Sequence, residues 1–100
     1  MFFSLSKRKP TPEEMRNEVI RLIDESKENV YKVVFYSQPE VLEILERVSR
    51  RWEESNYRGR PIDYATPSEL KTLYKVARKV ASQRAEDLVA NYGEDFAWII

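Results

Sequence analysis

Apolar residues recur along this chain at the spacing of helices. Met15, Val19, Ile20, Leu22 and Ile23 make a first stripe, and its phase carries on through Ser26 to Val30 and Val33. One helix over 12–36 is the expectation. The stretch Val30-Tyr31-Lys32-Val33-Val34-Phe35-Tyr36 is also rich in β-branched and aromatic residues, so the alternative is a mainly α fold with a short strand near 30–36. A strand needs a partner, and only the very short 2–5 and 97–100 segments offer one, which favours helix. Val41, Leu42, Ile44, Leu45, Val48 and Trp52 form a second apolar face, predicting a helix over 38–55. Leu70, Leu73, Tyr74, Ala77, Val80, Ala81, Ala85, Leu88 and Val89 form a third, predicting one helix over 67–92, roughly 39 Å long at ~1.5 Å per residue.

Start and stop signals agree with these stripes. Thr11-Pro12-Glu13-Glu14 and Thr66-Pro67-Ser68-Glu69 each offer a hydroxyl cap, a proline at the first helical position and a glutamate that can reach back to the cap amide. Ser37-Gln38-Pro39-Glu40 reads as a similar start with Ser37 as the cap. Gly93 suits the position just past a helix end. Gly59 and Pro61 interrupt periodicity in a loop over 56–65 that carries Tyr57, Tyr64, Arg58 and Arg60. The expected architecture is an all-α single domain over 1–100. It is a three-helix bundle with one long C-terminal helix, flanked by terminal arms at 1–10 and 94–100.

Composition narrows the chemistry. The 100 residues include no cysteine and no histidine, which removes thiolate sites, disulfides and the commonest general base and metal ligand. With only two glycines, at 59 and 93, there is no phosphate-cradling loop, and no nucleophile–base pair can be drawn. The chain therefore reads as non-catalytic, with no cofactor and no metal. Asp24 and Glu28 share a helix face, but two carboxylates do not define a cation site. A high charge content with few glycines resembles a thermophile surface. No apolar run reaches the ~20 residues of a membrane span, and the short apolar start precedes its basic cluster, reversing the order of a signal peptide. The expectation is a cytoplasmic protein without membrane contact.

Formal charge is zero, with 17 basic and 17 acidic residues, but the signs are segregated. Residues 10–46 and 85–100 are acidic on balance, whereas residues 47–84 hold ten basic and four acidic residues. Local field, more than net charge, decides whether a polyanion is attracted. Lys71, Lys75, Arg78 and Lys79 share a face of the third helix. Lys71–Lys75 and Lys75–Lys79 are like-charge pairs at four-residue spacing, each costing roughly 0.2–0.5 kcal/mol in isolation. On one long helix these cations would precede Glu86 and Asp87, the reverse of what the helix dipole favours. One reading pairs them with Glu14, Glu18 and Asp24 across the bundle. The other is an open basic band for phosphate, with Arg47, Arg50, Arg51, Arg58, Arg60, Lys71, Lys75, Arg78 and Lys79 as its residues and Tyr57 and Tyr64 stacking on bases.

Two functions follow as expectations. The first is a small nucleic-acid-associated module or accessory subunit that binds the phosphate backbone of DNA or RNA through this band. The second is a protein–protein adaptor or homo-oligomeric assembly subunit with no nucleic-acid contact. For either, Phe2, Phe3, Phe96, Trp98, Ile99 and Ile100 at the apolar ends are the candidate partner-binding residues.

Overall fold

The computed structural model describes residues 9–92. Among them every regular element is helical. The helices are α1 (Pro12–Val19), α2 (Asn29–Ser37), α3 (Pro39–Glu54), α4 (Pro67–Ala81) and α5 (Ala85–Tyr92). A π-helical turn (Ile20–Asp24) follows α1, and a 3-10 turn (Pro61–Tyr64) precedes α4. The segment 30–36 is helix and not strand. The apolar ends and Gly93, proposed for partner contact and for the last cap, lie outside the described residues.

Both starts marked by Thr-Pro form as expected. The Thr11 hydroxyl accepts from the Glu14 amide at 3.1 Å while Glu14 accepts from the Thr11 amide at 2.8 Å. Thr66 and Glu69 repeat the exchange at 3.1 and 2.9 Å. The third start shifts by one residue. Pro39 is the first residue of α3 and holds Gln38 extended, at φ −67° and ψ 133°, because a residue before proline avoids the α region. Ser37 therefore ends α2, and its hydroxyl donates back to the Val34 carbonyl at 2.8 Å instead of capping α3.

Each of the two long helices expected from periodicity is divided. After α1 the chain widens into the π turn, where the Glu25 amide donates to the Ile20 carbonyl five residues back at 2.9 Å. Ser26 then offers its hydroxyl to the Glu28 amide at 3.2 Å, the local competition for backbone donors that serine brings. α2 starts afresh at Asn29.

The second division falls at Ser82–Arg84, and the sequence pattern explains it. Leu70, Leu73, Ala77 and Val80 are the buried stripe of α4. Continuing their phase would turn Arg84 and then Asp87 inward. The chain breaks instead. Ser82 Oγ and Gln83 Nε2 both donate to the Lys79 carbonyl, and the Tyr31 hydroxyl donates to the Gln83 carbonyl at 2.7 Å. α5 restarts on a new axis with Leu88 fully buried and Val89 half exposed. The break also removes half of the charge anomaly. Arg78 and Lys79 now sit in the last turn of α4, and Glu86 and Asp87 in the first turn of α5, where the two dipoles favour them.

One core joins the pieces. Val19, Ile23, Val34, Phe35, Val41, Ile44, Val48, Leu73, Ala77, Val80 and Leu88 are buried together. α1 lies against α4, α2 against α4 and α5, and α3 against the 3-10 turn. Leu42, expected on the inner face of α3, is exposed. No helix among the described residues is long and apolar enough to cross a membrane.

Candidate nucleic-acid interface

The nine basic residues of the expected band divide into three groups. Arg47 and Arg51, near the end of α3, turn onto Glu69 in the first turn of α4. Glu69 is only 7% exposed. Arg51 donates to its two carboxylate oxygens at 2.6 and 3.0 Å, and Arg47 Nε donates to Oε2 at 2.9 Å. Arg51 also donates to the Tyr64 carbonyl at 2.9 Å. The Arg51 hydrogen bonds, ahead of the opposing effect of burial and with help from the Thr66 amide and Arg47, take the Glu69 carboxyl down to about 2. These arginines clamp α3 to the cap of α4. Both therefore have a partner within the fold, Arg47 half exposed and Arg51 about a third exposed.

Arg50, Arg58 and Arg60 form the second group. Arg50 pairs with Glu46 one turn back on α3 at 2.9 Å. Arg58 and Arg60 lie in a loop fixed by its own contacts. Asn56 and Tyr57 take left-handed backbone conformations, and Gly59 does so at φ +69°. A side chain at Gly59 would press within 3.1 Å of the Asp63 carboxylate, so the left-handed backbone and this contact together favour glycine at position 59. Trp52 Nε1 donates to the Gly59 carbonyl at 3.0 Å, and the Tyr64 hydroxyl donates to the Arg58 carbonyl at 2.8 Å. Tyr57 stands edge-on to Trp52, with ring centres 5.0 Å apart. The two loop tyrosines, expected as stacking platforms, make these contacts within the loop, with Tyr57 still exposed. The Arg60 guanidinium lies 3.6 Å from Asp63, which also accepts from the Arg60 amide at 3.1 Å and pairs with Arg16 of α1 at 3.4 Å.

The third group stays together. Lys71, Lys75, Arg78 and Lys79 of α4 line a groove of about 610 Å³ with Lys9, Pro10 and Met15. Tyr74 completes its lining, so among the described residues five cations and no acid surround it. All five cations are exposed, while Met15 is buried and Tyr74 half-buried. Arg78 is the one with a side-chain partner among the described residues. Its guanidinium lies over the Tyr74 ring, 5.5 Å from the centroid, and its NH1 donates to the Tyr74 hydroxyl at 3.2 Å.

Cross-bundle ion pairing does not account for this face. Among the described residues, no salt bridge is made by Lys9, Lys71, Lys75 or Lys79. The acids expected opposite them have other contacts. Glu14 closes the α1 cap. Glu18 accepts from Arg21 at 2.5 Å, which holds its carboxyl below the usual range, with a smaller contribution from Arg78. Asp24 accepts from the Tyr36 hydroxyl, and burial together with that bond pushes the Tyr36 phenol up.

A second cavity of about 340 Å³ lies over Val19, Phe35, Val48 and Leu73, with Asp24 and Arg60 both at its edge. Its mixed rim gives it no single sign of potential. Among the described residues, no group of three or more acids is arranged to hold a metal ion.

Lys9 joins the groove from outside the expected band. It belongs to a separate basic run, Lys7-Arg8-Lys9, and only the packing of α1 on α4 brings it beside Lys71 to Lys79. The rigid Pro10-Thr11-Pro12 connection was the available signal, since it ties that run to the start of a helix. Comparison with family models, with curated proteins and with solved structures finds no match for this chain.

Proposed function

We propose that this chain is a non-catalytic nucleic-acid-associated module, acting in the cytoplasm, that binds the phosphate backbone through the groove between α1 and α4. The observation that carries the proposal is the groove's lining: five exposed cations, no acid, and a repulsive lysine column with no ion-pair partner among the described residues. The column makes no ion pair that would stabilise the fold among the described residues, and a bound polyanion would offset its repulsion. Lys71, Lys75 and Lys79 recur every four residues, a rise of roughly 6 Å per step, comparable to the separation of successive phosphates along a strand.

The interface is narrower than the band expected from sequence. Lys9, Lys71, Lys75, Arg78 and Lys79 form it, Arg50, Arg58 and Arg60 stand outside the groove, and Arg47 and Arg51 belong to the fold. Affinity should be roughly micromolar at low salt and fall steeply as salt rises, because released counterions drive such binding. Fluorescence anisotropy of a labelled oligonucleotide tests this. Wild type should bind at low ionic strength, and the Lys75→Glu/Arg78→Glu double variant should fold normally and not bind. No binding by wild type at low salt overturns the proposal, as does unfolding of the double variant, which would make these cations part of the fold.

A further inference from the structure

We infer that the groove grips a single strand in preference to a duplex, with the Arg78 guanidinium as a stacking platform for one base and Tyr74 as the residue that positions it. This deepens the proposed function and rests on it. A duplex is a broad convex rod with phosphates on its outside. It would touch the lysines at the rim and leave the apolar floor of Met15 and Tyr74 uncovered. A single strand can lay phosphates along Lys71, Lys75 and Lys79 and turn a base inward, burying that floor.

Arg78 is arranged for that base. A guanidinium is a planar cation that stacks on aromatic rings and on bases alike. Tyr74 fixes it from one side, by the ring beneath it and by the 3.2 Å hydrogen bond to the hydroxyl. The side chain is exposed and lines the groove, so a base can approach its other face. An arginine already held by Tyr74 loses little freedom when the base arrives, which raises the affinity gained per contact. A lysine at position 78 would keep the charge and lose the plane.

The test compares three probes with equal labels: a twelve-residue oligothymidine, an abasic strand of the same length and charge, and a twelve-base-pair duplex. The wild-type protein should bind oligothymidine about ten-fold more tightly than the abasic strand, the size of one base-stacking contact. The duplex should bind no better than the abasic strand. Arg78→Lys should lose about ten-fold on oligothymidine and almost nothing on the abasic strand. Tyr74→Leu should lose the same base-dependent part with an unchanged salt dependence, whereas Tyr74→Phe, which keeps the ring, should lose less. Equal binding of oligothymidine and the abasic strand overturns the stacking role, and tighter binding of the duplex overturns the preference for a single strand. Both results leave the proposed function standing. Absence of binding to all three probes overturns the proposed function itself.

Discussion

Glu69→Gln tests how the fold treats its arginines. Glu69 is 7% exposed and accepts from Arg47, from Arg51 through both oxygens, and from the Thr66 amide. Its carboxyl is lowered from 4.5 to about 2. A shift of that size corresponds to a ceiling of about 3 kcal/mol of folded-state stabilisation of the charged form. Arg47 is 50% exposed and Arg51 35%, so solvent screening reduces it. Glutamine keeps an acceptor for the Thr66 amide but removes the charge that both arginines face. The expected loss is about 2 kcal/mol at neutral pH, read by urea unfolding. Because the folded value is depressed, the stabilisation is fully present above pH 4.5 and is lost as pH falls toward 2. The gap between wild type and variant should therefore close across that window, other carboxylates being common to both. A variant as stable as wild type at pH 7, or a gap that persists unchanged at pH 2, would refute the clamp. Oligonucleotide affinity of the folded variant should be unchanged, since Glu69, Arg47 and Arg51 stand outside the groove.

Other outcomes follow from single contacts. Thr11→Ala removes the α1 cap and should cost about 1 kcal/mol in the same unfolding assay. Tyr31→Phe removes the bond to the Gln83 carbonyl that holds the α4–α5 break; about 1 kcal/mol of stability should go, with faster amide exchange in α5 than in α3. Lys71→Ala and Lys79→Ala relieve like-charge repulsion, so each should leave stability equal or slightly higher. Each should also flatten the salt dependence of single-strand binding by about 0.7 in the log–log slope, one phosphate contact apiece.

Local chemistry made much of the fold legible in the sequence. Thr11 and Thr66 cap the helices they were expected to cap, because a capping box is complete within four residues. The two helix divisions were harder, since hydrophobic phase can run smoothly across a break. The stripe through Leu70, Leu73, Ala77 and Val80 did carry the warning that Arg84 would turn inward. At Ser37, a good cap residue lost to the constraint that Pro39 places on Gln38. The proposed interface is legible in part. The lysine column was visible as an uncompensated cost, whereas its opposition to the helix dipole vanished with the break at Ser82. Arg47 and Arg51 could be removed from the band only by knowing that Glu69 is buried between them, and Lys9 could be added only by knowing how α1 packs on α4. Both are facts of tertiary structure.

The most direct test of the account is a backbone amide NMR titration of the whole chain with oligothymidine at low salt. Resonance shifts should cluster on Lys9, Met15 and the Lys71–Lys79 face of α4, leaving Arg47, Arg51 and the 56–60 loop undisturbed. Shifts centred on Arg50, Arg58 and Arg60 instead, or no shifts at saturating oligonucleotide, would contradict it.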